Sequence, residues 1–130
     1  MDEAQLIQEF LGAPAFAVVG ASNDPQKFGY RLVAHYQKHG RKVYPIHPKE
    51  EQIQGLKAYA TLVGLPEKVE SVSIVTPPSV TEKVVMDAQK AGARTVWMQP
   101  GAESQAAIDW ALAHGLRVIA HGPCVLVALR

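Results

Sequence analysis

The residues of this chain that could do chemistry include five histidines and one cysteine, and their spacing builds no familiar catalytic set. His35 and His39 stand four positions apart in a helical pattern, but no glutamate lies between them, so the zinc-hydrolase motif fails. His121 and Cys124 supply too few ligands for an ordinary zinc site. Cys124 needs a nearby base to act as a nucleophile, and a lone cysteine more often packs. We therefore predict neither a catalytic residue nor a metal site.

A glycine loop is the stronger chemical signal. Residues 15–19 are all apolar, and Gly20 follows them directly, ahead of the small and polar residues 21–23. A buried parallel strand is continuously apolar, and a glycine at its end lets a ligand approach the backbone. The next glycine is Gly29, so both the G-x-G-x-x-G fingerprint and the P-loop are absent. The loop and the helix that starts within it are predicted to bind an anion, with Lys27 adding a charge.

The end of the second predicted strand helps to choose between nucleotides. NAD-binding domains carry an aspartate or glutamate there for the ribose hydroxyls, about 20 residues beyond the glycine loop. This chain has His47, Pro48 and Lys49 before any acidic residue. A rigid, cationic turn suits a phosphate on the ribose, so NADP and coenzyme A (CoA) fit better than NAD.

These residues need a scaffold that brings strand ends together. Apolar runs alternate with helical patterns, which predicts βαβ units around a mostly parallel sheet with helices on both faces. Ligands bind such sheets outside the carboxyl ends of the strands. The predicted strands are residues 15–20, 42–47, 71–76, 94–98 and 117–121, with a shorter one near Leu56 to Ala58. We therefore expect an α/β domain with a sheet of five to six strands.

The helices between these strands are predicted from apolar stripes. The inward-facing residues are expected to be Leu32, Val33 and Tyr36 in one helix, Val80, Val84, Val85, Ala88 and Ala91 in another, and Ala107, Ile108, Ala111 and Leu112 in a third. A leading amphipathic helix near Ala4 to Leu11 is expected to be peripheral, within residues 1–12. Trp97 and Trp110 fit core or interface positions.

The length and composition of the chain argue against several classes of function. The chain has 130 residues and a net charge of +1, which fits one domain, residues 1–130, and provides no basic stripe for nucleic acid. The acidic start and the short apolar runs predict neither a signal peptide nor a membrane span. Because Cys124 has no partner for an internal disulfide, a reducing, cytoplasmic location is the natural expectation.

Several ordered motifs together resemble a known family. They are Val18-Val19-Gly20-Ala21-Ser22, Lys27-Phe28-Gly29-Tyr30, Val43-Tyr44-Pro45-Ile46-His47-Pro48, Tyr59-Ala60-Thr61-Leu62, Val75-Thr76-Pro77-Pro78, Val96-Trp97-Met98-Gln99-Pro100-Gly101 and Gly115-Leu116-Arg117-Val118. The chain resembles the small stand-alone CoA-binding proteins, which are similar to the CoA-binding domain of the succinyl-CoA synthetase alpha subunit. The likeness covers nearly the whole chain and implies a Rossmann-like, doubly wound fold.

The resemblance also implies roles for matching residues. It places the phosphates against residues 20–23 and 27–29, and the ribose phosphate or the adenine beside Pro48 and Lys49. Residues 75–78 would line the adenine or the pantetheine, and Gln99 and Gly101 would close the far edge. The implied CoA-binding residues are Gly20, Ala21, Ser22, Asn23, Lys27, Phe28, Gly29, His47, Pro48, Lys49, Thr76, Pro77, Pro78, Gln99 and Gly101. Two departures stand out: His47 replaces the family's usual asparagine, and residues 121–124 replace a more polar run.

The leading interpretation is a non-catalytic protein that binds CoA or an acyl-CoA as a carrier, sensor or accessory subunit. One alternative is an NADP- or CoA-dependent enzyme fragment that uses Cys124 or His47. Another is an interaction module whose nucleotide pocket is vestigial. The expected ligand is a small nucleotide rather than a nucleic acid or a membrane, and a protein partner or a homo-oligomer stays open.

Overall fold

The computed structural model describes all residues from 1 to 130. The elements, in chain order, are α1 (Glu3–Leu11), β1 (Phe16–Val19), α2 (Phe28–Lys38), β2 (Val43–Ile46), β3 (Gln52–Ile53), β4 (Leu56–Lys57), a 3₁₀ turn (Leu62–Gly64), β5 (Ser71–Ile74), α3 (Pro78–Lys90), β6 (Thr95–Met98), α4 (Gln105–Ala113), β7 (Arg117–Ile119) and α5 (Val125–Ala128). The predicted alternation of strands and helices is confirmed.

Five strands form one parallel sheet in the order β2-β1-β5-β6-β7. The chain therefore leaves β1 toward one side, to β2, and later returns to the other side of β1, to β5. In register, Val19 lies beside Ile46 on one side and Ile74 on the other. The loops after these three residues leave the same edge, at the point where the strand order reverses, and such points are where doubly wound sheets bind ligands.

Helices cover both faces of the sheet because side chains alternate along each strand. Ala17 and Val19 of β1 pack in the cluster that α3 and α4 cover. Phe16 and Val18 pack on the other face, in the cluster that α1, α2 and α5 cover. There the Phe16 ring stacks on Tyr36 with centroids 4.7 Å apart. The α/β, Rossmann-like fold class is confirmed.

The N-terminal helix begins with a capping box. The Asp2 side chain accepts from the backbone N–H of Gln5, whose side chain in turn accepts from the N–H of Asp2. Phe10 on this helix is fully buried and meets the Trp97 ring edge to face at 5.2 Å. The helix thus contributes one large side chain to the core, and its description as peripheral stays a prediction.

Some details differ from the sequence-based expectations. The strands are shorter than predicted, and the segment near Leu56 pairs antiparallel with β3 in a separate hairpin rather than joining the main sheet. Val80 and Leu112 are 45% and 57% exposed rather than buried. Val80 sits in the first turn of α3, and Leu112 sits near the end of α4. No helix has both the length and the apolar character needed to cross a membrane.

Candidate functional site

The loop after β1 is built on two glycines that touch. Gly20 has φ +96°, and a Cβ on it would lie 2.8 Å from Cγ2 of Val75. A Cβ on Gly29, in the first turn of α2, would lie 1.9 Å from the carbonyl oxygen of Gly20. Real Cβ atoms do not approach so closely, so only glycine lets α2 begin directly against the end of β1. The widely spaced glycines thus produce the close strand–helix approach that other nucleotide loops achieve with shorter spacings.

Five backbone N–H groups around this loop have no protein acceptor. Those of Ala21, Ser22 and Asn23 follow the strand, and those of Phe28 and Gly29 open α2. Orphan N–H groups at a helix start, together with the helix dipole, attract anions.

Lys27 occupies the N-cap of α2 without capping it, is exposed, and forms no salt bridge. The loop thus offers hydrogen-bond donors and an ammonium group that is not in a salt bridge.

Side chains within the loop hold its shape. Ser22 Oγ accepts from the N–H of Asp24 at 2.9 Å, and Asp24 Oδ1 accepts from the N–H of Gln26 at 3.0 Å. These bonds are the local turns that Ser and Asp favour. The Ser22 hydroxyl therefore shapes the loop, and its other lone pair and proton stay available at the surface.

Asn23 ties the loop to the β3–β4 hairpin. Its Oδ1 accepts from the N–H of Gln54 at 3.0 Å, and its Nδ2 donates to the carbonyl of Gln52 at 2.8 Å. Gln54, at φ +51°, also donates from Nε2 to the carbonyl of Tyr30 at 2.9 Å. The Asn23 amide is thus used within the protein, which leaves its backbone N–H as the group that could meet an anion.

The turn after β2 stands next to this loop. The His47 N–H donates to the carbonyl of Tyr59 at 2.9 Å, and its Nδ1 accepts from the N–H groups of Lys49 and Glu50 at 3.0 and 3.1 Å. His47 is half-buried, whereas Pro48 and Lys49 are exposed. The three residues that the sequence singled out therefore form one tight turn, with the ring of His47 as its centre.

A cleft of about 190 Å³ opens between this turn, the Gly20 loop and α3. Its floor is mostly apolar, and its lining residues are Val19, Gly20, Ile46, Pro48, Ala60, Thr61, Leu62, Thr76, Val80, Lys83, Val84 and Asp87. Thr76 is buried and its hydroxyl is 2.8 Å from that of Thr81. Pro77 and Pro78 are exposed at the start of α3, where proline is well tolerated.

Sequence reasoning missed Lys83 and Asp87, which line this cleft from α3. Their spacing of four residues on a helix places both on the face that also carries Val80 and Val84. That face was predicted to be wholly inward because its apolar residues repeat with the helical period. The charged residues interleaved in the same stripe were the available signal that part of the face borders an open cleft.

A second, more open hollow adjoins the cleft. It measures about 560 Å³ and is lined by His47, Pro48, Lys49, Glu50, Glu51, Gln52, Lys57, Ala58 and Ala60. Pro48 and Ala60 border both cavities. We call the cleft and the hollow together the depression at the carboxyl ends of β1, β2 and β5; its hollow also borders the β3–β4 hairpin.

The ends of β6 and β7 look different. Gln99 is fully buried; its Oε1 accepts from the N–H of Val125 at 2.9 Å, and Trp97 Nε1 donates to the carbonyl of Pro123 at 3.0 Å. Gly101 is exposed, with φ +95°, and its N–H donates to Glu103 Oε1 at 2.8 Å. The Gln99 side chain therefore supports the C-terminal segment, and the role at the far edge of a CoA site that the resemblance implies for Gln99 stays a prediction.

The remaining candidate residues lie away from the cleft. The His35 ring is hydrogen-bonded to the carbonyl of Leu129, and His39 Nδ1 to the carbonyl of His35, so both brace the chain around α2. Cys124 is half-buried at the start of α5. No group of three or more histidine, cysteine and acidic side chains is placed to hold a metal ion.

The side chains whose pKa values are shifted lie outside the cleft and the Gly20 loop. Burial raises the pKa of Tyr36, whose hydroxyl is 2.7 Å from Ser73 Oγ in the core. On the outer side of β2, hydrogen bonds from Lys42 and Tyr44 lower the pKa of Glu67. The bond to Glu67 likewise raises the pKa of Lys42. These shifts belong to core packing and to an exposed edge cluster.

Comparison with known proteins points to one family. The model of a family described as "CoA binding domain" matches residues 14–130. The alpha subunit of the ADP-forming acetate–CoA ligase II of Pyrococcus furiosus is 34% identical over 92 residues, which are 70% of this chain and 20% of that protein. The chain thus spans about a fifth of the length of this curated relative.

Solved structures share the fold. A protein of Pyrococcus horikoshii OT3 described as hypothetical superposes with a TM-score of 0.91 at 29% identity, covering 98% of this chain and 89% of that one. The dinucleotide-forming acetyl-coenzyme A synthetase 1 of Ca. Korarchaeum cryptofilum superposes with a TM-score of 0.74 at 33% identity, covering 85% of this chain and 26% of that one. The likeness therefore extends both to a small protein and to one region of a larger synthetase.

Proposed function

Because the chain belongs to the CoA binding domain family, we propose that it binds coenzyme A along the depression at the carboxyl ends of β1, β2 and β5. The observation that carries the proposal is the set of five unpaired backbone N–H groups at the Gly20 loop and the start of α2. A pyrophosphate accepts several such hydrogen bonds at once, and the dipole of α2 and the charge of Lys27 favour its negative charge.

The nucleotide end of CoA fits the cavities beside this loop. The apolar cleft of about 190 Å³ is smaller than the roughly 300–1,000 Å³ of sites that enclose a whole drug-sized ligand. It therefore suits one flat, weakly polar part of CoA, and adenine is the part with that character. Lys49 at the rim of the adjoining hollow is then positioned for the phosphate on the ribose, and the pantetheine arm extends toward solvent.

We propose a carrier, sensor or accessory role without catalysis. The groups that the enzyme alternative needs are engaged or distant: His47 Nδ1 accepts two backbone hydrogen bonds, and Cys124 lies beyond β7 at the other end of the carboxyl edge. Bound CoA held only by its nucleotide would accept different acyl groups. We accordingly propose that free CoA and acyl-CoA bind with similar affinity.

A protein partner is part of the same proposal. The curated relative is named as a subunit and is about five times longer than the matched region, so this kind of domain also occurs as part of larger proteins. Val63 and Val80, at or next to the cleft, are 58% and 45% exposed. An apolar rim of this kind favours a contact that would close over a bound ligand.

We also propose a cytoplasmic location. The single cysteine, which has no partner within the chain for a disulfide, favours it. Fractionation of cells that express the tagged protein would test the location, and recovery from a membrane or secreted fraction would contradict it.

Titration calorimetry tests the ligand. We expect saturable binding of CoA and acetyl-CoA, weaker binding of dephospho-CoA, which lacks the ribose phosphate, and weaker binding still of NAD. NADP is the informative competitor because it keeps a ribose phosphate but lacks the pantetheine arm. Absence of saturable binding of every CoA species would remove the proposal, and preference for NADP would favour the alternative of an NADP-dependent enzyme fragment.

A further inference from the structure

The geometry of His47 defines its tautomer. The N–H groups of Lys49 and Glu50 lie 3.0 and 3.1 Å from His47 Nδ1. A backbone N–H can only donate, so Nδ1 must carry a lone pair and the ring proton must sit on Nε2. His47 therefore does in neutral form what a capping asparagine does with its carbonyl oxygen.

We propose that neutral His47 is the positioning residue of the ribose-phosphate turn, so that protonation of its ring weakens CoA binding. This inference rests on the proposed function. Protonation puts a hydrogen on Nδ1, which removes the lone pair and directs one N–H at two others. The turn then loses both hydrogen bonds and gains a repulsion. The test accordingly spans the pH range in which histidine side chains in general take up a proton.

The turn is placed where such a change matters to a ligand. Pro48 borders both the cleft and the hollow, and Lys49 lines the hollow. The Glu50 carboxylate stands 3.5 Å from Asn23 Nδ2, the same side chain that ties the Gly20 loop to the hairpin. Loosening the turn therefore disturbs the position of Lys49 and one contact of the phosphate loop together.

The charges around His47 nearly cancel. The hollow that it lines also contains two lysines and two glutamates, Lys49, Lys57, Glu50 and Glu51. On the neighbouring loop, the Asp24 carboxylate is already bonded to the N–H of Gln26. The opposing effect is the attraction of an imidazolium for a phosphate. Because Nδ1 faces the backbone of its own turn, we expect the lost cap to outweigh that attraction.

The test compares the wild-type protein with His47→Asn and His47→Ala by CoA titration from pH 8 to pH 5.5. For wild type we expect affinity to fall about three- to tenfold more over this range than it falls for His47→Asn. The ribose phosphate takes up a proton near about pH 6, but it does so for both proteins, so the difference between them isolates His47. His47→Ala, which lacks an acceptor, should bind weakly at every pH.

A ligand-free measurement separates this inference from the proposed function. In NMR spectra of the free protein, the amide signals of Lys49 and Glu50 should move with the ring titration of His47, and should not move in His47→Asn over the same range. Parallel pH profiles for wild type and His47→Asn, or tighter CoA binding by wild type in acid, would overturn the inference. Failure of wild type to bind CoA at pH 8 would instead remove the proposed function, whatever the amide signals do.

Discussion

At the ends of β1, β2 and β5, several backbone N–H groups and the side chains of Lys27 and Lys49 stand without protein partners, whereas at the ends of β6 and β7 the buried side chains of Trp97 and Gln99 are bonded to the C-terminal segment. We call these the open half and the closed half of the carboxyl edge. Both halves carry glycine and proline at nearly every strand end. What separates them is the C-terminal segment around α5, which supplies the partners for Gln99 and Trp97.

This difference shows what marks a ligand site in a sheet of this kind. Glycine and proline bend the chain at either half, so their abundance indicates only that strands end there. Unsatisfied donors beside an open cleft are more informative, because leaving a buried or half-buried N–H without a partner costs free energy, and a bound anion removes that cost. In the open half the loop that carries five such donors adjoins the cleft, whereas in the closed half the segment around α5 is bonded to Gln99 and Trp97.

The largest effect is expected from Gly29→Ala in the open half. The new Cβ would lie 1.9 Å from the carbonyl oxygen of Gly20 and 3.1 Å from Cα of Ala21, so backbone must move. We expect a loss of about 4 kcal/mol or more of unfolding free energy, together with loss of CoA binding. Urea denaturation with and without CoA measures both.

The matched control for this substitution is Gly64→Ala. No atom lies within 4 Å of a Cβ at Gly64, and its backbone is not left-handed, so stability should change little. If Gly29→Ala were as stable as Gly64→Ala and still bound CoA, the close approach between strand and helix would not be what builds the open half.

In the closed half, Gln99→Ala should cost stability and spare binding. It removes the acceptor of the buried Val125 N–H and leaves a void, for which we expect about 2–3 kcal/mol. CoA affinity should stay within a factor of about two of wild type below the unfolding transition, since the side chain does not reach the surface. Gln105→Ala, which removes an exposed amide bonded to Asp109, is the control and should be nearly neutral. A specific loss of affinity in Gln99→Ala would restore the ligand-binding role that the sequence suggested.

The contrast also shows how far sequence reasoning reached. Strand identity and order of elements were predictable because parallel strands are continuously apolar and each helix has its own stripe. Gly29 was predictable as a site residue from its position within a motif. The physical reason that glycine is needed there is its contact with Gly20, which forms only when α2 packs against the end of β1. The tie from Asn23 to Gln54 joins residues 31 positions apart through a two-strand hairpin too short to show a pattern.

The half that a residue belongs to could not be predicted. Gln99 and Gly101 follow their strand as Thr76 and Pro77 follow theirs, and the sequence provides no local difference between them. The difference comes from α5, a four-residue helix at the end of the chain that has no periodicity to detect. Long-range hydrogen bonds of this kind depend on tertiary packing rather than on local propensity.

Lysine substitutions in the open half should have moderate effects on binding and none on folding. Lys27→Ala and Lys49→Ala each remove an exposed charge from the proposed phosphate sites, and we expect CoA affinity to fall about two- to fivefold for each. The salt dependence of affinity should flatten in both. Lys38→Ala, at the opposite end of α2, is the control. Equal losses of CoA affinity in all three variants would indicate a general electrostatic attraction between CoA and the protein rather than a local anion site.

The smallest effect is expected outside both halves, from Glu67→Gln on the outer side of β2. Hydrogen bonds from Lys42 and Tyr44 lower the pKa of Glu67 in the folded protein, so its carboxylate favours folding at pH values above the unfolded pKa. That contribution is lost as the pH falls through the lowered folded value. The pKa of Lys42 is raised in the folded protein, so the ammonium group of Lys42 also favours folding. That contribution is lost only as the pH rises through the raised folded pKa of Lys42.

The side chains of Glu67 and Lys42 are exposed, so solvent screens their interaction and the change in unfolding free energy should be small. Thermal unfolding at neutral pH should therefore show a slight loss for Glu67→Gln relative to Glu82→Gln, an exposed glutamate on α3 without a salt bridge. The difference between these two variants should vanish in acid, once both carboxylates are protonated in wild type. CoA affinity should be unchanged in both variants. If Glu67→Gln altered affinity as Lys49→Ala does, the binding surface would have to continue around β2, and the open half would be wider than its unpaired N–H groups indicate.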